Sequence, residues 1–231
     1  MYWEEDNDSQ SQTTAGEVVD IVFRFQCKSI PVDHSHALGH AILKILPWFR
    51  DEARAAVHSI HVADSGNGWM RPEEPDELMF PSRRTRLILR IPRNRVEQTL
   101  SLVGRVLDIG GHQLEVGESS TRELTPFSAI YARYMVTEND EDEEAFLVGI
   151  ARQLKDLSIR PRKMMCGISK TIHTPDDKLR TRSLMLADLA PEDSLLLQQT
   201  GLGQHRYLGC GIFIPHKDIK TIGESNADGA S

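Results

Sequence analysis

The stretch Gly201–Gly211, GLGQHRYLGCG, constrains this chain more than any other part of it. Four glycines sit in two Gly-apolar-Gly pairs, and the second pair runs straight into the apolar segment Ile212–Phe213–Ile214. Glycine takes φ > 0 readily and lets another backbone come close, because no Cβ stands in the way. Successive N–H groups in such a turn can also point into one concavity and bind phosphate oxygens. A helix over 191–200 that stops at Gly201 explains the first glycine. It does not explain a second pair at the mouth of a strand, with His205 and Arg206 between. The candidate phosphate-binding residues are therefore Gly201, Gly203, Gln204, His205, Arg206, Gly209 and Gly211, with Arg206 as the cation.

Periodicity places this loop at the end of the second of two similar units. Val19, Ile21, Phe23, Phe25 and Cys27 alternate with polar residues as a half-buried strand. Asp33 is the expected N-cap of a helix to Leu46, with Leu38, Ala41, Ile42 and Ile45 on its apolar face. Strands follow over 56–62 and at Leu87, Leu89 and Ile91, then a helix over 94–103 and a hairpin over 106–116. That order is βαββαβ, the ferredoxin-like unit. It repeats as a strand over 129–136, a helix capped by Asp140, strands over 163–172 and 182–189, a helix opened by Pro191, and the strand after the glycine loop. The expected fold class is α+β, two tandem ferredoxin-like units over 17–120 and 126–217. The tails 1–16 and 218–231 are polar and expected to be disordered.

No apolar run reaches the roughly 18 residues of a membrane span, so a membrane partner is not expected. The acidic start (Glu4, Glu5, Asp6, Asp8) does not read as a signal peptide. Cys27, Cys166 and Cys210 fall singly and form no paired motif, as in a reduced, cytoplasmic protein. The net charge of −7 speaks against nucleic acid at first sight. Its distribution does not, because local field governs phosphate binding. Acid concentrates in 4–8 and 138–144. Basic residues gather at Arg83, Arg84, Arg86, Arg90, Arg93 and Arg95, and again at Arg160, Arg162, Lys163, Lys170, Lys178, Arg180 and Arg182.

The double Gly-apolar-Gly pattern with its basic spacer resembles the glycine-rich loop of the RAMP proteins of CRISPR systems. Its flanks, LAPEDSLLLQQTGLGQHRYLGCGIFIPHK, together with IPVDH near the N-terminus, resemble the CRISPR repeat-processing endoribonucleases, the sixth-numbered Cas family in its Myxococcus-type subtype. The likeness spans roughly residues 17–217. It implies tandem ferredoxin-like domains, a stem-loop repeat RNA as partner, and products with 2′,3′-cyclic phosphate and 5′-hydroxyl ends. It also implies a catalytic histidine in or just after the first helix. Other subunits of a CRISPR effector are a further class of partner that the likeness suggests.

His34, His36 and His40 fall on the first expected helix, and His58 and His61 on the following strand. At 100° per residue His34 shares the apolar face of Leu38, Ala41 and Ile45, whereas His36 and His40 are i,i+4 neighbours on the polar face. Taken alone, His34 reads as a satisfied core histidine. The resemblance brings it into the catalytic set, which is His34, His40 and His58, with the choice among them open. RNA cleavage by its own 2′-OH needs a base, an acid and stabilisation of the phosphorane, and imidazole suits the first two near neutral pH. The loop would hold backbone phosphates, and Arg160, Arg162 and Lys163 would meet the stem. No carboxylate cluster suggests magnesium, so no metal or cofactor is expected. A zinc reading of His34, His36 and His40 with Asp33 lacks a familiar spacing, and a regular helix turns His34 away from the other two. The rival function is a RAMP-type subunit that binds guide RNA without cutting it.

Overall fold

The computed structural model describes residues 16–62, 74–75, 77–138 and 142–216. The expected disordered tails, save Gly16, lie outside the described residues, as does the expected cap Asp140.

In the N-terminal half, β1 (Val18–Gln26) is central. A short β2 (Ile30–Pro31) leads to α1 (Ser35–Ile45), a 3₁₀ turn over Pro47–Arg50, and β3 (Ala56–Val57). Beyond them, β4 (Leu78–Met79) pairs with β2, and β5 (Leu87–Pro92) pairs with β1. A single α-helical turn, α2 (Val96–Thr99), lies between two 3₁₀ turns and precedes the hairpin β6 (Val106–Ile109) and β7 (His112–Glu123). The sheet runs β3-β5-β1-β7-β6.

The C-terminal half comprises β8 (Ile130–Val136), α3 (Glu143–Asp156), β9 (Lys163–His173), β10 (Lys178–Ala187), α4 (Pro191–Thr200) and β11 (Phe213–Pro215). Its sheet order is β11-β8-β10-β9. In both sheets the first strand lies between the third and the last, and the second pairs outside the third. That is the ferredoxin-like order, with β6 added at one edge.

Three local departures from the sequence reading have visible causes. Ala56–Val57 pair with β5, and His58 N–H adds one bond to the Ile88 carbonyl (3.0 Å), but the ladder stops there. The next buried donor, Ile60 N–H, is taken by the His34 ring at 3.0 Å, so a side chain replaces a strand partner. The residue at the N-cap of α1 is His34 and not Asp33, whose carboxylate turns towards the other half. At α3 the observed cap is Asp142, whose Oδ1 accepts from Ala145 N–H at 2.7 Å. Glu143 and Glu144 occupy the first turn, where the helix dipole favours acids.

Each sheet buries its own core. Ile21, Phe23, Leu38, Ile42, Leu87 and Leu89 pack in the first, and Ala132, Phe146, Ile150, Leu154, Leu184 and Phe213 in the second. Two buried arginines join them. Arg90 of β5 holds Asp20 through Nε and Nη2 (2.8 and 3.3 Å). Its Nη1 donates to the carbonyls of Gln198 and Phe213 in the other half, each at 2.8 Å. Asp20 also accepts from Arg122 at 2.9 Å. Burial by itself would raise the Asp20 carboxyl most, but Arg90, and after it His58, hold it well below the usual carboxylate range. No helix among the described residues is long and apolar enough to cross a membrane.

Candidate functional site

The glycine-rich loop is built inwards. Gly201, Gly203, Gly209, Gly211 and also His205 all have positive φ. A Cβ at Gly211 would collide with the Leu202 carbonyl, and one at Gly201 with both the Arg206 guanidinium and the Gly211 carbonyl. Leu202 N–H donates to Gly211 O (3.1 Å), Cys210 N–H to His205 O (3.3 Å), and Gly211 N–H to Tyr134 O (2.8 Å). These donors are thus engaged within the protein. Arg206 is only 8% exposed. Its nitrogens donate to the carbonyls of Ala55 (3.4 Å), Gly211 (3.2 Å) and Gln199 (3.4 Å), and burial together with Arg90 pushes its pKa down to about 10. By sequence this guanidinium is expected against phosphate. In the fold it reaches across to the first half and fastens the loop, because the carbonyls left at the end of α4 need donors. The exposed part of the loop is Gly203 and Gln204, with His205 half-buried beside them.

The loop lies against α1. Gly39 is the contact point, since a Cβ there would strike the Tyr207 carbonyl oxygen. On either side of Gly39 in sequence, α1 carries His36, half-buried, and His40, exposed, with ring centroids 5.0 Å apart. Burial lowers the pKa of His36, the neighbouring His40 lowers it further, and Asp176 and Asp33 oppose the shift. His36 is thereby biased towards the neutral imidazole that a general base requires.

A third imidazole arrives from the C-terminal half. His173, the last residue of β9, has its Nδ1 2.6 Å from Asp33 Oδ2, and the same oxygen accepts the His173 backbone N–H at 2.8 Å. Nothing in the sequence alone singles out His173. Its signal would have been a histidine at the turn end of a strand, which gains meaning only once a carboxylate is known to face it.

The other two histidines of the sequence reading lie inside. His34 is 1% exposed. Its Nδ1 donates to the carbonyls of Pro31 and Val32 (both 3.0 Å), and its Nε2 accepts from Ile60 N–H. Both ring nitrogens are engaged, and the ring is turned away from His36 and His40 as helical periodicity requires. His58 sits over the buried ion network, its Nε2 3.7 Å from Asp20 Oδ1 and otherwise without a hydrogen-bond partner. Burial lowers its pKa against the pull of Asp20. No group of three or more His, Cys, Asp or Glu among the described residues has the geometry to hold a metal ion. Arg160 and Arg162 are exposed on the connection from α3 to β9, and Lys163 pairs with Asp188 at 3.4 Å.

A family model described as Cas6 Crispr matches residues 19–218. The chain belongs to the Cas6 family. The CRISPR-associated endonuclease Cas6 of Myxococcus xanthus (strain DK1622) is 29% identical over 197 residues, covering 85% of this chain and 81% of that one. Among solved structures, a CRISPR associated protein Cas6 superposes with a TM-score of 0.60 at 13% identity, over 87% of this chain and 100% of that one. The product of a Cas6-related gene from Pyrococcus furiosus gives 0.59 at 13% identity, with the same shares. An RAMP protein binding different RNA substrates gives 0.56 at 13% identity, over 84% and 98%. At such identities the likeness concerns the fold, the tandem ferredoxin-like arrangement expected from the two βαββαβ runs. Within this Cas6 chain, the glycine loop, α1 and the β9–β10 hairpin are the three elements that meet at the histidines.

Proposed function

We propose that this chain is an endoribonuclease that cuts precursor CRISPR RNA within its repeats, without a metal ion, by attack of a ribose 2′-OH on the adjacent phosphorus. The observation that carries the reading is the pair of imidazoles His36 and His40, 5.0 Å apart on α1 where the glycine loop crosses Gly39. The base takes the proton of the 2′-OH as its oxygen bonds to phosphorus. The pentacoordinate phosphorane then loses the 5′-oxygen, leaving a 2′,3′-cyclic phosphate and a 5′-hydroxyl. His40, exposed on the helix, meets the RNA, with His36 beside it as the neutral partner. Of the three histidines proposed from the sequence, His34 and His58 take structural roles in this reading, since their rings are buried.

Phosphate holding falls to the exposed loop tip, Gly203 to His205, while Gly201, Arg206, Gly209 and Gly211 keep the loop in shape. Arg160, Arg162 and Lys163 face solvent and suit the backbone of the repeat's stem. Support for a metal-free mechanism is the donor set, which offers paired imidazoles and, among the described residues, no cluster of three or more His, Cys, Asp or Glu placed to hold a metal ion.

The test is incubation of the protein with a panel of CRISPR repeat RNAs in excess EDTA. One repeat is expected to be cut at a single position with undiminished rate, and its 2′-deoxy version at that nucleotide to bind without being cut. Loss of cutting in EDTA that zinc or magnesium restores would overturn the mechanism. Tight binding with no cutting of any repeat would favour the non-cleaving guide-RNA subunit instead.

A further inference from the structure

We propose that His173, held by Asp33, is the general acid that protonates the leaving 5′-oxygen. The inference rests on the RNA-cutting reading above and supplies the proton donor which that reading leaves unassigned. Asp33 and His173 come from different halves of the molecule, 140 residues apart in sequence. A single carboxylate oxygen, Asp33 Oδ2, receives both the ring Nδ1 (2.6 Å) and the backbone N–H (2.8 Å) of His173. The carboxylate is sheltered, its side chain 13% exposed, whereas the imidazole is 40% exposed. The ring is therefore anchored on its Nδ1 side and partly exposed to solvent. Asp33 also acts electrostatically on His36, as does Asp176 in the turn after β9, so the carboxylate that anchors His173 lies near the α1 pair.

A tie between the halves needs no imidazole. Arg90 and Arg206 already make that tie from buried positions, and the His173 backbone N–H binds Asp33 whatever the side chain is. What the ring adds is a second nitrogen. With Nδ1–H donated to the carboxylate, a protonated ring carries its other proton on Nε2, and the bond to Asp33 fixes its direction. In the reaction the 2′-oxygen bonds to phosphorus and its proton passes to the α1 base. The P–O5′ bond breaks, and the Nε2 proton of His173 passes to the departing oxygen. Both rings return to their starting states by exchange with water, so protons balance over the cycle.

The substitution that isolates this role is His173→Asn, whose side-chain N–H₂ overlies Nδ1 and can keep the bond to Asp33 while removing Nε2. The probe is a repeat RNA that wild type cuts, made with either oxygen or sulfur at the bridging 5′ position of the scissile phosphate. A thiolate leaves without protonation, so sulfur bypasses the acid. His173→Asn is expected to lose about 10²–10⁴-fold on the oxygen substrate and to recover to within a few-fold of wild type on the sulfur substrate. Asp33→Asn is expected to show the same pattern with a smaller loss, melting temperatures being measured for both. Equal losses on the two substrates, or no loss on oxygen, would overturn the assignment while leaving the endonuclease reading in place. A wild type that cuts no repeat RNA would remove both.

Discussion

Two sets of histidines lie within one short reach of the chain, and the difference between them is burial. His34 is closed inside the first half with each ring nitrogen bonded to backbone, and His58 lies above Asp20 with Nε2 shut off from water. His36 and His40, two and six positions beyond His34, stand at the surface beside the glycine loop. The interior pair has no lone pair or proton to offer a substrate without unmaking the core. The surface pair, with His173, has both. His34, His36 and His40 share residue type and nearly the same place along α1, so solvent access and hydrogen-bond engagement decide which imidazole can do chemistry.

The largest expected effect falls on the surface set. His40→Ala should slow repeat cutting by about 10²–10⁴-fold, some 3–5 kcal/mol in barrier, while the melting temperature stays near that of wild type. An active His40→Ala enzyme would break the comparison.

Next comes its mirror image. His34→Ala leaves Ile60 N–H and two carbonyls without their partner, and a buried polar group so orphaned costs about 1–3 kcal/mol. The melting temperature should fall by several degrees, at about 2–4 °C per kcal/mol for a chain of this size, while the folded fraction still cuts. Full stability with abolished cutting would move the base back to His34.

Arg206→Ala extends the contrast to cations. It should lower the melting temperature, since the carbonyls of Ala55 and Gln199 lose the Arg206 donor and Gly211 O keeps only Leu202 N–H, and leave the salt dependence of RNA binding unchanged. A folded Arg206→Ala protein with a flatter salt slope would return this residue to the RNA surface.

The pH dependence of stability probes the other interior ring. Burial depresses the His58 pKa in the folded state, so below the ordinary value of about 6.5 the unfolded chain takes up a proton that folded His58 resists. Stability from this residue is therefore fullest above that pH and falls as pH drops, by at most about 1.4 kcal/mol per unit. The depressed pKa of Asp20 adds a term that is constant across this window, because both its states are ionised there. Denaturant melts at about pH 7.5 and about pH 5.5 should show a smaller loss in His58→Gln than in wild type. An equal loss would mean that folded His58 accepts the proton.

The smallest effect is a single exposed cation. Arg162→Ala should keep the melting temperature and reduce the salt slope of repeat binding by about one phosphate's share, 0.7–0.9 in log–log units. No change in slope would take Arg162 off the RNA surface.

Much of this was legible in the sequence. The alternation of Val19, Ile21 and Phe23 and the stripe Phe146, Ile150 and Leu154 mark elements that bury those residues here, because period alone tells a strand or helix which face to turn inwards. The same rule separates His34 from His36 and His40. The doubled glycine pairs mark a loop that needs left-handed backbone, and all four glycines adopt it. The boundaries of 56–62 and the cap of α1 were not legible, since in both places a side chain from elsewhere takes the hydrogen bond that local rules assign to a neighbour.

The two ferredoxin-like repeats, the sharp glycine loop and the polar histidine face of the first helix can all be read along the chain. All of these follow from short-range period and backbone sterics. Folding, by contrast, makes Arg206 a fastening and not a free cation, and draws Asp33 off the helix cap to hold His173. The physical reason is the same in both cases. A charged side chain takes its partner from whichever groups the fold leaves unsatisfied nearby, and those groups lie 151 and 140 residues away along the chain.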